Sequence, residues 1–386
     1  DALRALRPVV DSLTVRASKR NPAPPFTTST LQQEASRKLG LSPKRTMSIA
    51  QRLYEGVDTP DGHLGLITYM RTDSTAIAGV AMAEAQRVIG QRFGPAYGTG
   101  KGRVYRTRTK GAQEAHESIR PTSFRRDPDS LAGTLASDEL RLYRLIWQRA
   151  LASQMAAKEL ETTTVELAAG PYELRASATK TLFDGFSAVY TEGRDDGAAE
   201  DEEAERALPA VREGDTTTVR DVTPSQHFTE PPPRFTEASL VKTLEEFDIG
   251  RPSTYASIIS TLQSREYVRL EGKMFVPTDV GMIVCKFLTD HFTQYVDYGF
   301  TAHLEDELDE IARGEREWVP VLEEFWGAFK KRVDEKQELT RKEVSEARVI
   351  GIDPASGKPV SARLGRYGPF VQVGTKEDVD KPRFAS

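Results

Sequence analysis

Apolar and small residues recur at helical spacing through much of the chain before residue 160. Segments in which these residues fall on one side predict helices over 31–39, 43–54, 75–93 and 137–158. Between the second and third helices, the apolar run Leu64–Met70 is typical of a short strand. The pattern therefore predicts a mainly helical body that contains one short strand.

Beyond residue 160 the chain becomes rich in residues that favour strands. Runs of Thr, Val and Leu predict strands over 162–167, 172–179 and 216–222. Proline clusters at Pro24-Pro25 and Pro231–Pro233 interrupt the pattern and mark boundaries on either side. We therefore expect a β-rich part that is separate from the helical body.

The segment after residue 231 returns to helical spacing. The pattern predicts a helix, a short turn, a second helix and a hairpin, over 236–247, 252–265 and 267–277. This order is typical of a winged helix-turn-helix. Further helices are expected over 280–291, 304–312 and 319–344, and the Gly- and Pro-containing region from Val349 onward predicts a small β module.

The length and the charge distribution refine this picture. A chain of 386 residues is too long for one ordinary core, so we expect several folding units. The net charge of −5 opposes non-specific binding to nucleic acid, but residues 101–126 contain eight Lys or Arg and two Glu. Seven acids and no basic residue lie within 195–205, which is typical of a solvated loop. A basic groove for a polyanion therefore remains compatible with the sequence.

The single cysteine, Cys285, lies in an apolar helical stretch, where a buried structural thiol is the expected role. One cysteine excludes an intrachain disulfide and a zinc ribbon within this sequence and favours a cytoplasmic location. No apolar run approaches the roughly 20 residues that span a bilayer, so no membrane partner is expected. The chain begins with Asp1 and has no signal-peptide pattern, which suggests a fragment of a longer protein.

The most informative block is Gly65–Thr75. In a strand, Ile67, Tyr69 and Arg71 would share one face, so Tyr69 and Arg71 would approach the same bound group. The polar residues Thr72–Thr75 would cap the helix predicted to follow, and a helix start beside an arginine favours phosphate. A phenol near a phosphodiester is a possible nucleophile. From chemistry alone, however, a packing role for this tyrosine is favoured.

The sequence of this block, LITYMRTDST, closely resembles the active-site signature of bacterial type IA DNA topoisomerases. Three other blocks resemble segments of that family in the same order, over 26–34, 113–121 and 235–256. The resemblance extends from about residue 20 to about residue 345. The tail, over 351–371, is similar to one unit of the cysteine-free C-terminal repeats of actinobacterial, mycobacterial-like members, in which Tyr367 and Phe370 would stack on single-stranded bases.

The resemblance implies a role for each matching residue. Tyr69 would be the nucleophile that stays joined to a 5′ phosphate, and Arg71 would stabilise the transition state. His116 and Arg120 would contact the DNA backbone near the cut, although without the resemblance His116 is an ordinary surface histidine. The other DNA-contacting positions are Gly250, Arg251, Ser253 and Thr254 and, on a weaker match, Ser29, Thr30 and Gln33.

The resemblance also implies an α+β multidomain fold of toroidal form. We expect a tyrosine domain over 26–158, a β-rich arch or hinge over 1–25 and 159–230, a helical base with the winged-helix-like element over 231–345, and a repeat module over 346–386. Such an enzyme relaxes negatively supercoiled DNA without ATP, by cutting one strand, passing another and resealing, and it acts at the nucleoid.

One part of the family's pattern is not found. These enzymes bind Mg²⁺ through an acidic cluster in an N-terminal Toprim domain, and this sequence has no glycine-flanked Asp-x-Asp cluster. The acidic run Glu305–Glu310 lies in a helical pattern and is expected to be a solvated surface rather than a metal site. We therefore expect no metal ligand in this chain, and its partners to be single-stranded DNA and the rest of its own protein, namely the Toprim domain and further C-terminal repeats.

Two other functions stay open. The chain would be a non-catalytic single-strand-binding module if the Tyr69 block only shapes a groove. It would be a winged-helix regulator of duplex DNA if residues 236–277 carry the function. A tyrosine recombinase is disfavoured, because no spaced Arg-His-Arg set surrounds a late tyrosine.

Overall fold

The computed structural model describes residues 2–105, 116–193, 208–337, 348–365, 368–375, 378 and 381–385. The chain forms two compact units, Asp1–Lys242 and Thr243–Ser386. Residues 106–115 of the basic segment over 101–126, the acidic run over 195–205 and Tyr367 lie outside the described residues.

The first unit combines helices with one long sheet. Its elements are β1 (Val9–Arg20), α1 (Thr28–Glu34), α2 (Pro43–Glu55), β2 (Val57–Thr59), β3 (Gly62–Leu64), α3 (Gly79–Arg92), α4 (Ser137–Ser153), β4 (Lys158–Ala169) and β5 (Tyr172–Phe183). A π-helical turn, Ala35–Leu39, continues α1, and Gly40 ends it in the left-handed region (φ 67°). The predicted helices over 31–39 and 43–54 are thus confirmed.

The long sheet is antiparallel, with β4 in the centre and β1 and β5 at its edges. Threonines pair across its strands, as in the 3.0 Å hydrogen bond between the hydroxyls of Thr162 and Thr179. Both strands predicted here are correct, and both are longer than expected. The strand predicted over 216–222 is wrong: Thr216 makes one isolated bridge to Val9, and residues 217–222 form no strand.

The core of the first unit lies between the helices. Large side chains with less than 2% exposure come from several elements and from the segment after β3: Phe26, Leu31, Ile49, Leu53, Leu66, Ile67, Met70, Ile89, Ile119, Phe124, Leu142 and Tyr143. The Trp147 indole donates to the carbonyl of Phe124 at 3.0 Å, which satisfies its only donor inside this core. Helices and connecting segments are therefore fixed by one apolar cluster.

Two predictions around the Tyr69 block are wrong. The strand β3 ends at Leu64, and beyond it only Ile67 makes a bridge, to Pro121. The backbone here bonds instead to nearby loops, as in the 2.9 Å bond from the Thr68 amide to the Arg120 carbonyl. The next helix begins at Gly79 and has Ala78 as N-cap without a side-chain cap, so Thr72–Thr75 do not cap it.

The second unit is helical with two small sheets. Its elements, with the helix that leads into it, are α5 (Glu237–Glu246), α6 (Tyr255–Ser264), β6 (Val268–Glu271), β7 (Met274–Pro277), α7 (Asp279–His291), α8 (Thr293–Val296), α9 (Tyr298–Ala312), α10 (Trp318–Lys336), β8 (Arg348–Ile352), β9 (Pro359–Gly365), β10 (Gly368–Val373) and β11 (Arg383–Ala385). The hydroxyl of Thr236 caps α5 by accepting from the Ser239 amide at 3.0 Å, as predicted. The order helix, turn, helix, hairpin is present over 237–277.

Aromatic rings hold α8, α9 and α10 together. The rings of Tyr295, Phe300, Phe325 and Phe329 lie within 6.3 Å of one another in neighbouring pairs, and Phe325 stacks on Phe329 at 5.4 Å. Cys285 is exposed on α7, a helix without a buried residue, so the expectation of a buried thiol is wrong. The last four strands form one sheet in the order β11-β10-β9-β8, which agrees with the predicted β module.

Within the described ranges, no helix is both long enough and apolar enough to cross a membrane.

Candidate DNA-cleaving site

The Tyr69 segment lies between the end of α2 and the start of α3. Its side chains alternate between the core and the surface: Met70 and Thr72 are buried, whereas Tyr69 and Arg71 are exposed. Tyr69 and Arg71 are thus both exposed, as their predicted common face requires, but Ile67, which was predicted to share that face, is buried, and the segment is not a strand. Tyr69 is 38% exposed, so its phenol is accessible to a large substrate.

The buried hydroxyl of Thr28 fixes this segment to the start of α1. It donates to the Met70 carbonyl at 2.7 Å and accepts from the Thr72 amide at 2.9 Å. The Thr28 amide donates to the Thr72 carbonyl at 2.8 Å. The backbone on both sides of Arg71 is thus held by one residue, which defines where the guanidinium can reach.

A second set of bonds joins the Tyr69 segment to the His116 segment. The Thr68 hydroxyl donates to the Ser118 carbonyl at 2.6 Å and accepts from the Arg120 amide at 2.9 Å. The rings of Tyr69 and His116 then lie 5.8 Å apart in an edge-to-face arrangement. The structure therefore brings together two residues that are 47 positions apart and that the sequence singled out separately.

Tyr54, on the last turn of α2, contacts Tyr69 from another direction. Their ring centroids are 5.3 Å apart with an interplanar angle of 68°. Helical spacing alone does not single out Tyr54, which occupies an ordinary apolar position of a helical pattern. Thr28 and Thr68 were missed for a similar reason, because a threonine that holds backbone cannot be told from one that caps a helix.

Arg71 is available for a ligand. In the part of the chain that the structure describes, its guanidinium has no hydrogen bond or ion pair. Arg120 differs, because its side chain is buried, pairs with Glu117 at 2.5 Å and donates to the Pro121 carbonyl at 2.9 Å. Of these two arginines, Arg71 is the one whose charge faces solvent.

The weaker candidates on α1 are engaged inside the protein. Ser29 and Gln33 are buried, and the Gln33 amide donates to the Ser29 hydroxyl at 3.1 Å. Thr30 forms a capping box with Thr27, whose amide donates to the Thr30 hydroxyl at 2.9 Å. These contacts give all three residues a structural role at the start of α1.

Behind α1, a buried polar cluster fixes the helix to α4 and to the segment after β5. The Tyr190 hydroxyl donates to the Glu34 carboxylate at 2.5 Å, and Arg149 pairs with Glu192 and donates to the Tyr190 oxygen at 3.1 Å. Burial is the main cause that raises the pKa of Tyr190 above its ordinary value. The phenol of Tyr190 therefore stays protonated and acts as a structural donor.

In the second unit, the residues selected for phosphate binding lie in the turn before α6. Gly250 adopts φ +81°, and Thr254 is the residue before the helix, with its hydroxyl accepting from the Arg251 amide at 2.8 Å. Ser253 is exposed. The first turn predicted to be helical from Pro252 is a turn rather than α-helix, and α6 starts at Tyr255.

Arg251 is surrounded by the acids of α9. Its guanidinium donates to Asp309 at 2.8 and 3.1 Å, lies 3.5 Å from Asp306 and 4.0 Å from Glu305, and also donates to two backbone carbonyls. Burial raises the pKa of Glu305, while Arg251 opposes that rise. The charge predicted to meet phosphate is thus already neutralised within this unit.

The acidic run Glu305–Glu310 is an ion-pair surface. Arg251 pairs with Asp309 of this run. Arg316 pairs with Glu307 at 2.6 Å and with Glu310 at 3.6 Å. Among the described residues, no group of three His, Cys, Asp or Glu side chains is arranged to hold a metal ion.

Comparison with known protein families gives two matches. The family model described as DNA topoisomerase matches residues 2–323, and the topoisomerase C-terminal repeat matches residues 353–378. DNA topoisomerase 1 of Xylella fastidiosa is 54% identical in strain Temecula1 and 53% identical in strain 9a5c, in each case over 98% of this chain. The chain spans 47% of the length of each of these relatives.

The fold agrees with a solved structure. Full-length topoisomerase I from Thermotoga maritima matches with a TM-score of 0.79 and 35% identity. The match covers 99% of this chain and 60% of the Thermotoga chain. The predicted α+β architecture with a C-terminal β repeat is therefore confirmed.

Proposed function

The chain belongs to the family of bacterial type IA DNA topoisomerases, and on this premise we propose that it carries the nucleophile part of a strand-cutting centre, with Tyr69 as the nucleophile. The observation that carries the proposal is an exposed Tyr69 near Arg71, which has no partner among the described residues, on a backbone held by Thr28 and Thr68.

The proposed reaction is a transesterification. The Tyr69 oxygen attacks a phosphodiester of single-stranded DNA and forms a bond to phosphorus. The bond from phosphorus to the 3′ oxygen breaks, and the phenol proton leaves as the 3′ hydroxyl gains one. The phosphotyrosine conserves the energy of the broken ester, so the reverse step reseals the strand without ATP.

Arg71 and His116 would act on the phosphate. The guanidinium would stabilise the charge that develops on the pentacoordinate phosphorus. His116, against the ring of Tyr69, would contact the DNA backbone at the next position. Arg120 would act indirectly, since its pairing with Glu117 leaves it to shape the His116 segment.

We propose Mg²⁺ as the cofactor of the complete enzyme. The ion would bind in the Toprim domain that the resemblance implies. The chain alone would then bind DNA without cutting it.

We also propose a domain division and the partners of the complete enzyme. Residues 26–158 would form the tyrosine domain, 1–25 and 159–230 the hinge arch, 231–345 the DNA-binding base and 346–386 the repeat module of a toroidal enzyme. The substrates would be single-stranded and negatively supercoiled DNA at the nucleoid.

Covalent capture tests the proposal. A single-stranded oligonucleotide labelled at its 3′ end is incubated with Mg²⁺ and the chain alone, and then with the chain joined to those parts of a Xylella relative that lie outside the matched region. We expect an adduct only in the joined form. Tyr69→Phe should abolish the adduct and leave DNA binding nearly unchanged. Tyr172→Phe, a control at a tyrosine that is 44% exposed, should still form the adduct.

Three results would contradict the proposal. An adduct that survives in Tyr69→Phe would remove Tyr69 from the reaction. Tight binding of single strands with no adduct in either form would leave a non-catalytic single-strand-binding module. A strong preference for duplex over single strands would instead favour the winged-helix regulator over 236–277.

A further inference from the structure

Tyr54 is the residue of α2 that touches the candidate nucleophile. Its ring meets the ring of Tyr69 edge to face, with 5.3 Å between the centroids. Tyr54 is 41% exposed, so the ring is not part of the apolar core. Its ring therefore contacts the candidate nucleophile, Tyr69, rather than residues of the core.

The end of α2 and the Tyr69 segment are fixed relative to each other. The Leu66 amide donates to the Leu53 carbonyl at 2.7 Å. A Cβ atom at Gly65 would lie 2.7 Å from the Tyr54 carbonyl, so only glycine allows the chain to pass so close to α2. The two tyrosine rings thus project from one rigid junction.

His116 completes the arrangement, with its ring 5.8 Å from that of Tyr69 at an interplanar angle of 60°. An exposed tyrosine without neighbours would exchange between rotamers, and each exchange would move its oxygen away from a bound phosphate. Edge-to-face ring pairs favour one orientation by a factor of about 2 to 12. Two such contacts restrict the ring of Tyr69, while the residue as a whole stays 38% exposed.

We infer that Tyr54 is a positioning residue for the cleavage step: its ring holds the Tyr69 ring in the orientation for attack. The inference rests on the proposed function, because it needs Tyr69 to be the nucleophile. The hydroxyl of Tyr54 has no part in it, and the ring alone carries the effect.

The test compares Tyr54→Ala with Tyr54→Phe in the form of the protein that gives an adduct in the capture assay. The rate of adduct formation is measured at saturating oligonucleotide, together with the oligonucleotide concentration for half-maximal rate and the melting temperature. We expect Tyr54→Ala to lower the saturating rate about three- to tenfold, with the half-saturating concentration and melting temperature unchanged. Tyr54→Phe should restore the rate to within about twofold of the parent.

A measurement on this chain without DNA tests the contact itself. In protein with ¹³C-labelled tyrosine rings, the Tyr69 resonance is identified by its loss in Tyr69→Phe. It should shift in Tyr54→Ala, which removes the ring current of the neighbour, and return close to its position in Tyr54→Phe.

The outcomes separate the inference from the proposed function. A parent protein that forms no adduct contradicts the proposed function. A parent that forms an adduct lost in Tyr69→Phe, together with an unchanged saturating rate in Tyr54→Ala, overturns only the role of Tyr54. A change confined to the half-saturating concentration also overturns it, since Tyr54 would then contact DNA.

Discussion

The guanidinium of Arg251 and the carboxylate of Asp309 form a two-bond ion pair, at 2.8 and 3.1 Å, between the turn before α6 and the side of α9. Nε and Nη2 both donate to the same oxygen, Oδ2 of Asp309, which makes a charge-assisted contact of the guanidinium with an anion. The carboxylate therefore occupies the place of the ligand that the sequence assigns to Arg251. This leaves two alternatives. In the first, DNA displaces Asp309 and binds the guanidinium of Arg251; in the second, Arg251 stabilises the fold and does not bind DNA.

We predict that Asp309→Asn strengthens binding of single-stranded DNA about two- to fivefold at low salt. The substitution removes the nearest of the three competing charges, and Asp306 and Glu305 remain at 3.5 and 4.0 Å. A phosphate that replaces the Asp309 carboxylate should add about one to the salt slope. Binding is measured by fluorescence anisotropy over a range of salt concentrations.

The double variant Arg251→Ala/Asp309→Asn is the control for this prediction, and it should lose the gain. Equal affinity of Asp309→Asn and the parent would assign Arg251 a structural role. Arg251→Ala alone would in that case lower the free energy of unfolding and not the affinity for DNA.

Thr28→Val should destabilise the first unit by about 2 kcal/mol. Valine matches the shape of threonine but leaves the Met70 carbonyl and the Thr72 amide without the hydroxyl that each one binds. Urea unfolding measures the change. Thr28→Ser keeps the hydroxyl and should lose less than half as much; an equal loss in both variants would mean that the methyl group, not the hydroxyl, matters.

Tyr105→Phe should change how stability depends on alkaline pH. Burial raises the pKa of Tyr105 to about 12, and its hydroxyl lies 3.0 Å from the Pro22 carbonyl and 2.9 Å from that of Ser153. Because the folded-state pKa is raised, the stabilisation is complete below pH 10 and is lost as the pH rises through 12.

At neutral pH the same variant should lose about 1 kcal/mol, the usual contribution of one hydrogen bond. Between pH 10 and 12 the difference between parent and variant should shrink. Urea unfolding at several pH values tests both statements, since the other buried tyrosines remain in both proteins. A difference that is constant with pH would contradict the role of the buried hydroxyl.

Gly250→Ala should cost about 2 kcal/mol in the second unit. Gly250 has φ +81°, and a Cβ atom there would lie 3.0 Å from the Thr254 hydroxyl and 3.1 Å from Ile258. Gly272→Ala is the matched control, because its φ is +63° but nothing lies within 4 Å of the added atom. Equal melting temperatures for the two variants would show that the close approach is not important.

Much of the fold follows from local pattern. The helices α2 and α7 and the hairpin β6–β7 lie where apolar spacing and turn residues put them. The pattern failed at residues 64–75, where the backbone bonds to Thr28 and Arg120, partners far away in sequence. Spacing along the chain carries no information on such partners.

The candidate site was predictable only in part. A ten-residue block identifies Tyr69 and Arg71, and the structure leaves both exposed. The sequence does not indicate that Arg120 is paired with Glu117 and Arg251 with Asp309, because an arginine looks the same in sequence whether or not its charge is neutralised. Tyr54 was missed since its contact exists only after the chain returns to α2.

The contact between the end of α2 and the Tyr69 segment has a consequence for protein engineering. The hydrogen bond from the Leu66 amide to the Leu53 carbonyl closes the loop that contains β2 and β3 at its base. The length of this loop can therefore vary without moving the Tyr69 segment. Relatives should tolerate insertions and deletions there while keeping the tyrosine in register. The hairpin tip at Pro60-Asp61 is accordingly a place to attach a fluorophore that reports on events at the cut without touching the residues that make it.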